Sequence, residues 1–460
     1  MNQARRHGGT KARSEAATKR RSHKATKVRS VAIVTGSRAE YGLLRSTLEA
    51  ISKHPSLRLQ LVVTGTHLLK KLGHTVRDIE RDGWRIDARV AMQRGDDGRL
   101  DQAEGLSRGV AGIARFLERA RTDIVLVLGD RIEAMAGALA GVTTGRIVAH
   151  IHGGDVAPGD FDDSLRHAIT KLAQVHLTAT ESSCRRVIQM GEDAARVHCV
   201  GAPGLDRLLE IVRETSVAPA AHSNIERPRG DNAPSLVASS PVARKALIVQ
   251  HPCGRAVTVE KRVMEMVLRA VDAEGLNAVC LYPNSDRGHS GIVQAIERHA
   301  RRVGRGAFRA IRSLEHDAYL DLLIETDVLI GNSSSGIIEA AAAGTPAVDI
   351  GSRQHGRERD EQCVFHAEEE PESIRAGLQR ALSLGPIRDY AGPYGDGRAG
   401  ERIAACLAEV ALDESLRRKI FADHRGATAL HCTLPQSPIR KAKGFIQTIS
   451  RPQRGLLVSK

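Results

Sequence analysis

Residues 328–349 read VLIGNSSSGIIEAAAAGTPAVD. A short apolar run is followed by a turn of small polar residues, an alanine-rich stretch with helical character, and a second apolar run. This order predicts a strand, a helix and another strand, because both apolar runs are short and are bounded by glycine, serine or proline. The segment therefore indicates an α/β fold in which helices cover both faces of a parallel sheet.

The same alternation extends in both directions from this segment and divides the chain into two halves. Apolar runs predict strands at 31–35, 57–64, 124–128, 147–152 and 198–200, and then at 246–250, 278–282, 328–331 and 347–349. Between the halves, residues 217–243 contain four prolines and show little periodicity, which is typical of a linker. We therefore predict two Rossmann-like, doubly wound domains with a central cleft.

The predicted boundaries follow from these patterns. They are a basic disordered tail at 1–29, an N-terminal domain at 30–206, a linker with an insertion at 207–244, a C-terminal domain at 245–390, terminal helices at 391–415 and a second basic tail at 416–460.

The net charge of +14 comes from the two tails, each of which holds ten Lys or Arg and one acid, so the rest of the chain is mildly acidic. Neither tail interleaves aromatic and basic residues, so we expect no specific nucleic-acid partner. The seven cysteines are scattered, which favours reduced thiols and a cytoplasmic protein. No stretch of about 18 apolar residues occurs, so no membrane span is expected.

Polar residues follow the predicted strands, where ligands bind in doubly wound domains. They are Arg38, His67, Asp130, Arg131, His152, Asp155 and Asp162 in the first half, and His251, Asn284, Ser333, Ser334, Glu339 and Arg353 in the second.

The serine turn allows two interpretations. Ser333 and Ser334 could bind a phosphate with the free amides of a helix N-terminus, while Glu339 accepts ribose hydroxyls. Alternatively, serine caps the helix and Glu339 complements its dipole. Asp130 and Arg131 could likewise combine proton transfer with anion binding, or form an ion pair that caps the next helix.

The histidine-rich strand at 147–152 also allows two interpretations. His150 and His152 share one face, so a metal site with Asp155 is conceivable. The remaining ligands would come from distant loops, so we expect no metal. The grouped carboxylates instead suit general acid–base chemistry on a sugar.

Together these segments resemble the UDP-N-acetylglucosamine 2-epimerase family, and more closely its hydrolysing branch in sialic-acid-type sugar synthesis. The matching pieces run in order and include GSRAEYG from residue 36, VTGTHL from 63, VLGDR from 127, HIHGGD from 150, FDDSLRHAITKLA from 161, GAPGLD from 201, YPNSD from 282, GNSSSGIIEA from 331 and GTPAVDIGSRQHGRE from 344.

The resemblance implies a glycosyltransferase-B-like pair of domains with a sugar nucleotide in the cleft. The hydrolysing branch converts UDP-N-acetylglucosamine, or a related UDP-diacetamido sugar, into UDP and the free 2-epimer through a glycal. By family position, the residues expected in catalysis are Asp130, Asp162, His152, Arg131 and His251; those expected to bind UDP are Arg38, Asn284, Ser333, Ser334, Glu339 and Arg353; those expected at the sugar are His67, Asp155 and Asp206.

One position departs from part of the family. Some members carry an acid at the position of His152, where it is regarded as catalytic. Histidine is also compatible with proton transfer near neutral pH. The swap leaves open which group is the acid and which the base.

The resemblance also implies a homo-oligomer, a dimer or tetramer, that needs no cofactor. Two alternatives to the hydrolysing epimerase remain at this point. One is a non-hydrolysing UDP-N-acetylglucosamine 2-epimerase, and the other is an inactive nucleotide-sugar-binding protein.

Overall fold

A computed structural model of the chain describes residues 28–94, 99–158, 161–217, 244–284, 286–304, 306–312, 314–387, 390 and 392–422. Most of the predicted tail at 1–29, the greater part of the insertion, and residues 423–460 lie outside the described residues. Within the described residues, the strands form two parallel sheets flanked by helices. The predicted fold class is confirmed.

The N-terminal sheet has seven described strands in the order β3-β2-β1-β4-β5-β6-β7. They are β1 (Arg29–Thr35), β2 (Leu57–Thr64), β3 (Ala88–Val90), β4 (Ile124–Leu128), β5 (Ile147–Ile151), β6 (Val175–Thr178) and β7 (Val197–Cys199). The helices of this half are α1 (Arg38–Lys53), α2 (Val76–Arg81), α3 (Arg99–Ala120), α4 (Ile132–Thr143), α5 (Asp162–Leu172), α6 (Glu181–Gln189) and α7 (Gly204–Val217).

The C-terminal sheet has six described strands in the order β10-β9-β8-β11-β12-β13. They are β8 (Lys245–Val249), β9 (Asn277–Leu281), β10 (Phe308–Ile311), β11 (Val328–Gly331), β12 (Ala347–Ile350) and β13 (Val364–Ala367). The helices of this half are α8 (Val257–Ala273), α9 (His289–Val303), α10 (His316–Ile324), α11 (Ser335–Ile338), α12 (Pro371–Leu384), α13 (Ala399–Glu409) and α14 (Glu414–Arg417).

The strand order places the site before any side chain is considered. In the first sheet the chain winds outward from β1 in one direction and then returns to β4, and in the second it does the same at β8 and β11. Ligands of such sheets bind beyond the carboxyl ends of the strands at this reversal. The central strand β4 is IVLVL and is buried along its whole length, as a strand covered by helices on both faces requires.

The last helices return to the N-terminal domain. Ile403 and Leu407 of α13 are fully buried in the cluster that holds the residues of β1 and α1. A Cβ on Gly400 would lie 2.8 Å from the carbonyl oxygen of Ser46, so a glycine is needed where α13 crosses α1.

Two predicted boundaries are wrong. Helix α7 continues to residue 217, so residues 207–217 form a helix rather than a linker, and Leu208 and Ile211 are buried in the same cluster as residues of the C-terminal sheet. The basic tail does not begin at 416 either, because Leu416 is buried and the Lys419 ammonium donates to the Ala173 carbonyl oxygen at 2.6 Å.

Two further findings concern partners. In the described part of the chain, none of the helices combines the length and the apolar composition needed to cross a bilayer. Six cysteines lie in this part, and their thiols are free.

We predict that α13 contributes to the stability of the N-terminal domain. Leu407→Ala removes a side chain with no exposed surface and should lower the free energy of unfolding by about 2–5 kcal/mol. Urea unfolding followed by circular dichroism measures the change. The control is Leu384→Ala at the end of α12, where the side chain is 47% exposed, with an expected change within about 0.5 kcal/mol. Equal effects of the two variants would contradict the packing.

Candidate active site

The turn after β4 presents Asp130 to the cleft. Gly129 has a φ of +77°, which turns the chain sharply away from the strand. The carbonyl oxygen of Gly129 contacts Nε2 of the buried His150 at 2.7 Å. Arg166 of α5, itself buried, donates to the Asp130 carboxylate and to the His152 carbonyl oxygen, the latter at 3.4 Å. Two neighbouring strands and a helix therefore fix the position of the Asp130 carboxylate.

His150 has a structural role. Besides Gly129, its ring contacts the Thr170 hydroxyl through Nδ1 at 3.2 Å, and burial lowers its pKa to about 3. Because both nitrogens are occupied inside the fold, His150 cannot share a metal ion with His152. Among the residues that the structure describes, no three His, Cys, Asp or Glu side chains are grouped to hold a metal ion.

His152 follows β5 in a strained backbone conformation. Its φ is +62°, a left-handed value that is uncommon for a residue with a side chain, so β5 ends at Ile151 and not at 152 as predicted. Its Nδ1 lies 3.0 Å from Oδ2 of Asp155. Such backbone strain clusters at functional sites, and here it turns the imidazole toward Asp155.

The C-terminal domain contributes a histidine of known tautomer. The Asn284 amide N–H donates to Nδ1 of His251 at 3.2 Å. Burial, and then the charge of Arg353, lower the pKa of His251 to about 3, so the ring is neutral. Because Nδ1 accepts, Nε2 carries the proton and can donate a hydrogen bond.

Asn332 holds this wall of the site together. The Oδ1 atom of Asn332 accepts from the His251 backbone N–H at 2.7 Å, and its Nδ2 donates to the His251 carbonyl oxygen at 2.8 Å. These two bonds replace the backbone pairing of neighbouring strands. The backbone carbonyl oxygen of Asn332 accepts a hydrogen bond from the Arg353 guanidinium at 3.1 Å. Arg353 is therefore fixed beside the end of β11.

Charges of opposite sign meet between the two domains. The pKa of Arg131 is raised first by Glu133 and then by Asp286 and Asp162, so these carboxylates lie near its guanidinium. Burial lowers the pKa of Arg353, while Asp286 and Asp162 act in the opposite direction. Asp162 begins α5 of the N-terminal domain, so its charge acts on Arg353 from the opposite domain.

The serine turn differs from its prediction. Helix α11 spans one turn, Ser335–Ile338, and a 3₁₀ turn follows at Ala341–Ala343, so the helix dipole is small. Ser334 takes the N-cap position without a side-chain cap bond, whereas Ser333 Oγ accepts from the Ser335 amide at 3.3 Å. The simple serine N-cap is therefore wrong for Ser334.

Glu339 ends α11 at the domain boundary. Its carboxyl is buried, and burial raises its pKa. A Cβ on Gly204 at the start of α7 would lie 3.6 Å from Glu339 Oε1. Glu339 therefore abuts the N-terminal domain.

Three residues expected at the sugar have internal partners instead. His67 has no exposed surface, and its ring contacts the Thr35 hydroxyl at 3.2 Å and the Thr75 hydroxyl at 2.8 Å. Asp206 accepts from the amides of Ala399 and Gly400 at 2.9 and 2.7 Å, and so caps α13. Both residues therefore have structural partners inside the protein, and their contacts to the sugar stay a prediction.

The third of these residues, Asp155, is 3% exposed. Its carboxylate accepts from the Ser183 hydroxyl at 2.7 Å and from Arg357 at 2.9 Å, in addition to the contact with His152. Burial alone would raise its pKa, but the hydrogen bond and charge of His152 and the charge of Arg357 hold the pKa below its usual value. Asp155 supports His152 rather than facing a ligand.

Arg38, expected to bind UDP, forms an ion pair with Asp78 of α2, with 3.4 Å between Nε and Oδ2. Its charge also helps to lower the pKa of the buried His316, after larger contributions from burial and from other arginines. Arg38 therefore lies at the side of the cleft where α1 meets α10. A Cβ on Gly42 of α1 would be 2.9 Å from the His316 ring.

A pair of buried carboxyls lies beneath the loops that follow β1 and β2. Glu40 accepts from the Gly36 amide at 2.8 Å, and Glu133 accepts from the Gln93 amide at 2.7 Å. A Cβ on Gly36 would lie 2.3 Å from Cγ of Glu133. Burial is the main cause that raises the pKa of Glu40 to about 8, with a smaller contribution from Glu133.

Sequence reasoning missed four participants: Arg166, Glu133, Asp286 and Arg357. Arg166 had a usable signal, because it stands four residues after Asp162 on one helix and so returns to the same face. Glu133 stands two residues after Arg131 and pairs with it, whereas Asp286 and Arg357 are placed by contacts between distant segments.

The profile of a family described as UDP-N-acetylglucosamine 2-epimerase matches residues 49–408. The chain belongs to this epimerase family. Its relatives include a UDP-N,N'-diacetylbacillosamine 2-epimerase (hydrolyzing) of Legionella pneumophila, 34% identical over 391 residues, covering 85% of this chain and 98% of the relative. A UDP-N-acetylglucosamine 2-epimerase of Neisseria meningitidis serogroup B is 31% identical over 358 residues, covering 78% of this chain and 88% of the relative.

Solved structures of epimerases share the fold of this family member. A UDP-GlcNAc 2-epimerase from Neisseria meningitidis bound to UDP-GlcNAc matches with a TM-score of 0.66 at 16% identity, over 83% of this chain and 100% of that chain. The Methanocaldococcus jannaschii UDP-GlcNAc 2-epimerase in complex with UDP-GlcNAc and UDP matches with a TM-score of 0.66 at 15% identity, over 82% and 99%. The two domains therefore form a glycosyltransferase-B-like pair.

We predict a pH-dependent stability that originates at Glu40. Its pKa is raised from 4.5 to about 8, so the folded state retains a proton that the unfolded state releases. This contribution is complete below pH 4.5 and is lost as the pH rises to about 8, by up to about 1.4 kcal/mol per pH unit. Glutamine is neutral at every pH, so the free energy of unfolding of Glu40→Gln should fall less than that of the wild type between pH 4.5 and about 8. Urea unfolding at pH 5.5, 6.5 and 8 measures it.

The control is Glu49→Gln, on the same helix but 54% exposed, which should follow the wild-type pH dependence. If Glu40→Gln also followed the wild type, the buried protonated carboxyl would be excluded.

Proposed function

We propose that the chain is a hydrolysing UDP-sugar 2-epimerase that converts UDP-N-acetylglucosamine, or a related UDP-diacetamido sugar, into UDP and the free 2-epimer. One observation carries this proposal. The Arg353 guanidinium is fixed 3.1 Å from the Asn332 carbonyl oxygen at the end of β11, and Arg131 and Asp162 follow β4 and β5 at the carboxyl end of the other sheet. The charge of Asp162 acts to raise the pKa of both arginines. A site of this kind can hold a diphosphate and transfer a proton on the attached sugar.

The chemistry requires both functions at once. The hydrogen on sugar carbon 2 is not acidic, so a carboxylate alone cannot remove it from the ground state. Departure of the diphosphate first builds positive charge at carbon 1, and this charge acidifies the neighbouring hydrogen. Stabilisation of the leaving phosphates is therefore the largest demand on the protein.

The C-terminal domain is suited to hold the UDP. Arg353 supplies a fixed positive charge, and the proton on Nε2 of His251 can donate to a phosphate oxygen without adding a second charge. Ser333 and Ser334 are half-buried beside the same strand end, and Asn284 positions the His251 ring. In this proposal the Glu339 carboxylate accepts the ribose hydroxyls.

The N-terminal domain carries the candidates for proton transfer. Asp130 follows β4, His152 follows β5, and Asp162 begins α5 after the next loop. Three candidate proton-transfer groups therefore lie at the same end of the sheet. Asp130 is held by Arg166, and His152 is held through Nδ1, which leaves Nε2 for the substrate. Arg131 stands beside them, where it can interact with the leaving diphosphate.

The proposed reaction balances in two steps. In the first, a basic group takes the proton from carbon 2, the bond between carbon 1 and the diphosphate oxygen breaks with its electron pair, and UDP and a glycal form. In the second, water adds to the double bond. Its hydroxyl bonds to carbon 1, and a proton is delivered to the opposite face of carbon 2, which gives the 2-epimer.

The hydrolysing branch is supported by the relatives. The Legionella protein carries "hydrolyzing" in its name, as does a GDP/UDP-N,N'-diacetylbacillosamine 2-epimerase of Campylobacter jejuni, 26% identical over 340 residues. The match to the Legionella protein covers nearly the whole of that protein.

We predict that the purified protein releases UDP from UDP-N-acetylglucosamine or from a UDP-diacetamido sugar, without an added acceptor. In D₂O the free sugar should carry deuterium at carbon 2, because the proton is exchanged in the glycal step. NMR of the product mixture measures both results. A UDP-linked epimer without free UDP would favour the non-hydrolysing reaction, and binding of UDP without turnover of any sugar offered would favour a binding protein.

We also predict that Asp130→Asn and Asp162→Asn each lower kcat by about 10²–10⁴-fold, since each removes a proton-transfer group. The matched control is Asp272→Asn, which removes a carboxylate from the ion pair between α8 and Arg302, remote from the cleft. The control should keep the wild-type rate. Turnover by Asp130→Asn at the control's rate would remove Asp130 from the reaction.

A further inference from the structure

Three consecutive residues of the C-terminal domain dock onto the N-terminal domain beside His152. Gly356 has a φ of +87°, and a Cβ there would lie 2.6 Å from Cγ1 of Val156. Arg357 donates to Asp155 at 2.9 Å. The Glu358 carboxylate accepts from the Ser182 hydroxyl at 2.5 Å. We refer to residues 356–358 as the docking loop.

The central contact of the docking loop is buried on both sides. The side chain of Arg357 is 9% exposed and that of Asp155 is 3% exposed. Water therefore screens this ion pair little, in contrast to the exposed pair between Arg81 and Glu315, which also joins the domains. A buried carboxylate that lost its partner would be left with an uncompensated charge.

Asp155 connects the docking loop to His152. Its Oδ2 atom is shared, since it lies 3.0 Å from Nδ1 of His152 and 2.9 Å from Nη1 of Arg357. A charged Asp155 accepts the Nδ1 proton of His152, so Nε2 is the nitrogen that is left to exchange a proton with a ligand. The contact between Nδ1 and Asp155 also fixes the orientation of the His152 ring, whose backbone is left-handed.

We propose that docking of residues 356–358 sets the orientation and tautomer of His152 through Asp155, so that the imidazole is ready for proton transfer only when the two domains are closed on each other. This inference rests on the proposed function for the role of His152. Asp155 and Arg357 act as positioning residues, and neither needs to touch the sugar. Closure over a substrate would then be coupled to the readiness of the acid–base group.

Two variants interrupt the coupling in different ways. Arg357→Met removes the charge and keeps the length of the side chain, and Arg357→Lys tests rescue of the charge alone. Gly356→Val changes no charge, but its side chain clashes with Val156 and requires a positive φ, so the docking loop cannot seat. Circular dichroism verifies that each variant is folded.

Two controls separate positioning from general weakening. Arg359→Met lies in the same segment and loses a buried ion pair with Asp349, 3.0 Å long, within the C-terminal domain. Arg81→Met loses a cross-domain ion pair that does not touch His152. Neither control should move the readouts of the docking loop.

The first readout is the Nδ1–H resonance of His152 in ¹⁵N-histidine-labelled protein without substrate, assigned by its absence from His152→Gln. We expect a protected, downfield Nδ1–H signal in the wild type and in both controls. The signal should be lost or shifted in Arg357→Met and Gly356→Val, and partly restored in Arg357→Lys. An unchanged signal in Arg357→Met and Gly356→Val would overturn the proposal.

The second readout is the kinetics of UDP release. Arg357→Met should lower kcat by about 10–100-fold, the usual effect of removing a group that orients another, with a much smaller change in KM. A change confined to KM, or one no larger than that of Arg81→Met, would reduce the docking loop to a simple clamp and contradict the proposal. If the wild type released no UDP from any sugar, the proposed function would fail, and the resonance would still decide whether the docking loop positions His152.

Discussion

The site depends on two arginines, Arg131 and Arg353, whose positive charges lie at the strand ends of the two sheets. Arg131 extends from the end of β4, and Arg353 follows β12, and both strands are buried. Carboxylates compensate the charge of the two guanidinium groups: Glu133 acts on Arg131, and Asp286 and Asp162 act on both. In the proposed reaction the diphosphate of the substrate binds between the two arginines, and its negative charge takes over part of the compensation that the carboxylates provide.

The molecule accepts unfavourable local structure around this constraint. Glu133 has no exposed surface, and Glu40 is buried close to it. The loops after β1 and β2 cover both carboxyls, and they come so close to Glu133 that only glycine fits at positions 36 and 65. His152 keeps a left-handed backbone that costs about 1–3 kcal/mol. A core selected for stability alone would contain none of these features, since buried carboxyls and strained residues lower the free energy of unfolding. Their concentration at the strand ends indicates that the arrangement serves the site.

The sequence could predict the fold because the pattern is repeated and each repeat is long. Residues 57–64 alternate apolar and polar side chains before two valines, and residues 124–128 are all apolar, so each run identifies a strand. Strands β3, β6, β10 and β13 were missed because three or four residues carry little pattern and no glycine follows them directly. The equally short β7, β11 and β12 end at a glycine or within two residues of one and were predicted. The rule that ligands bind at strand ends selected Asp130, His152, His251 and Arg353, and in the structure each of them follows the carboxyl end of a parallel strand.

The same rule does not reveal a partner that is distant in the chain. Asp206 lies in the first turn of α7, after β7, and α13 returns after about 190 residues to present two amides to it. His67 is likewise held by two hydroxyls, and Asp155 by an arginine 202 residues away. A sequence pattern gives the position of a side chain on its own element. It does not give the partner that another element brings.

The most direct measurement is a crystal structure of the protein with UDP bound. The account predicts the diphosphate between the domains, within hydrogen-bonding distance of Arg353 and of Nε2 of His251, with the ribose beside Glu339. A diphosphate bound at any other place, or bound in the cleft without contact to Arg353 and His251, would contradict it.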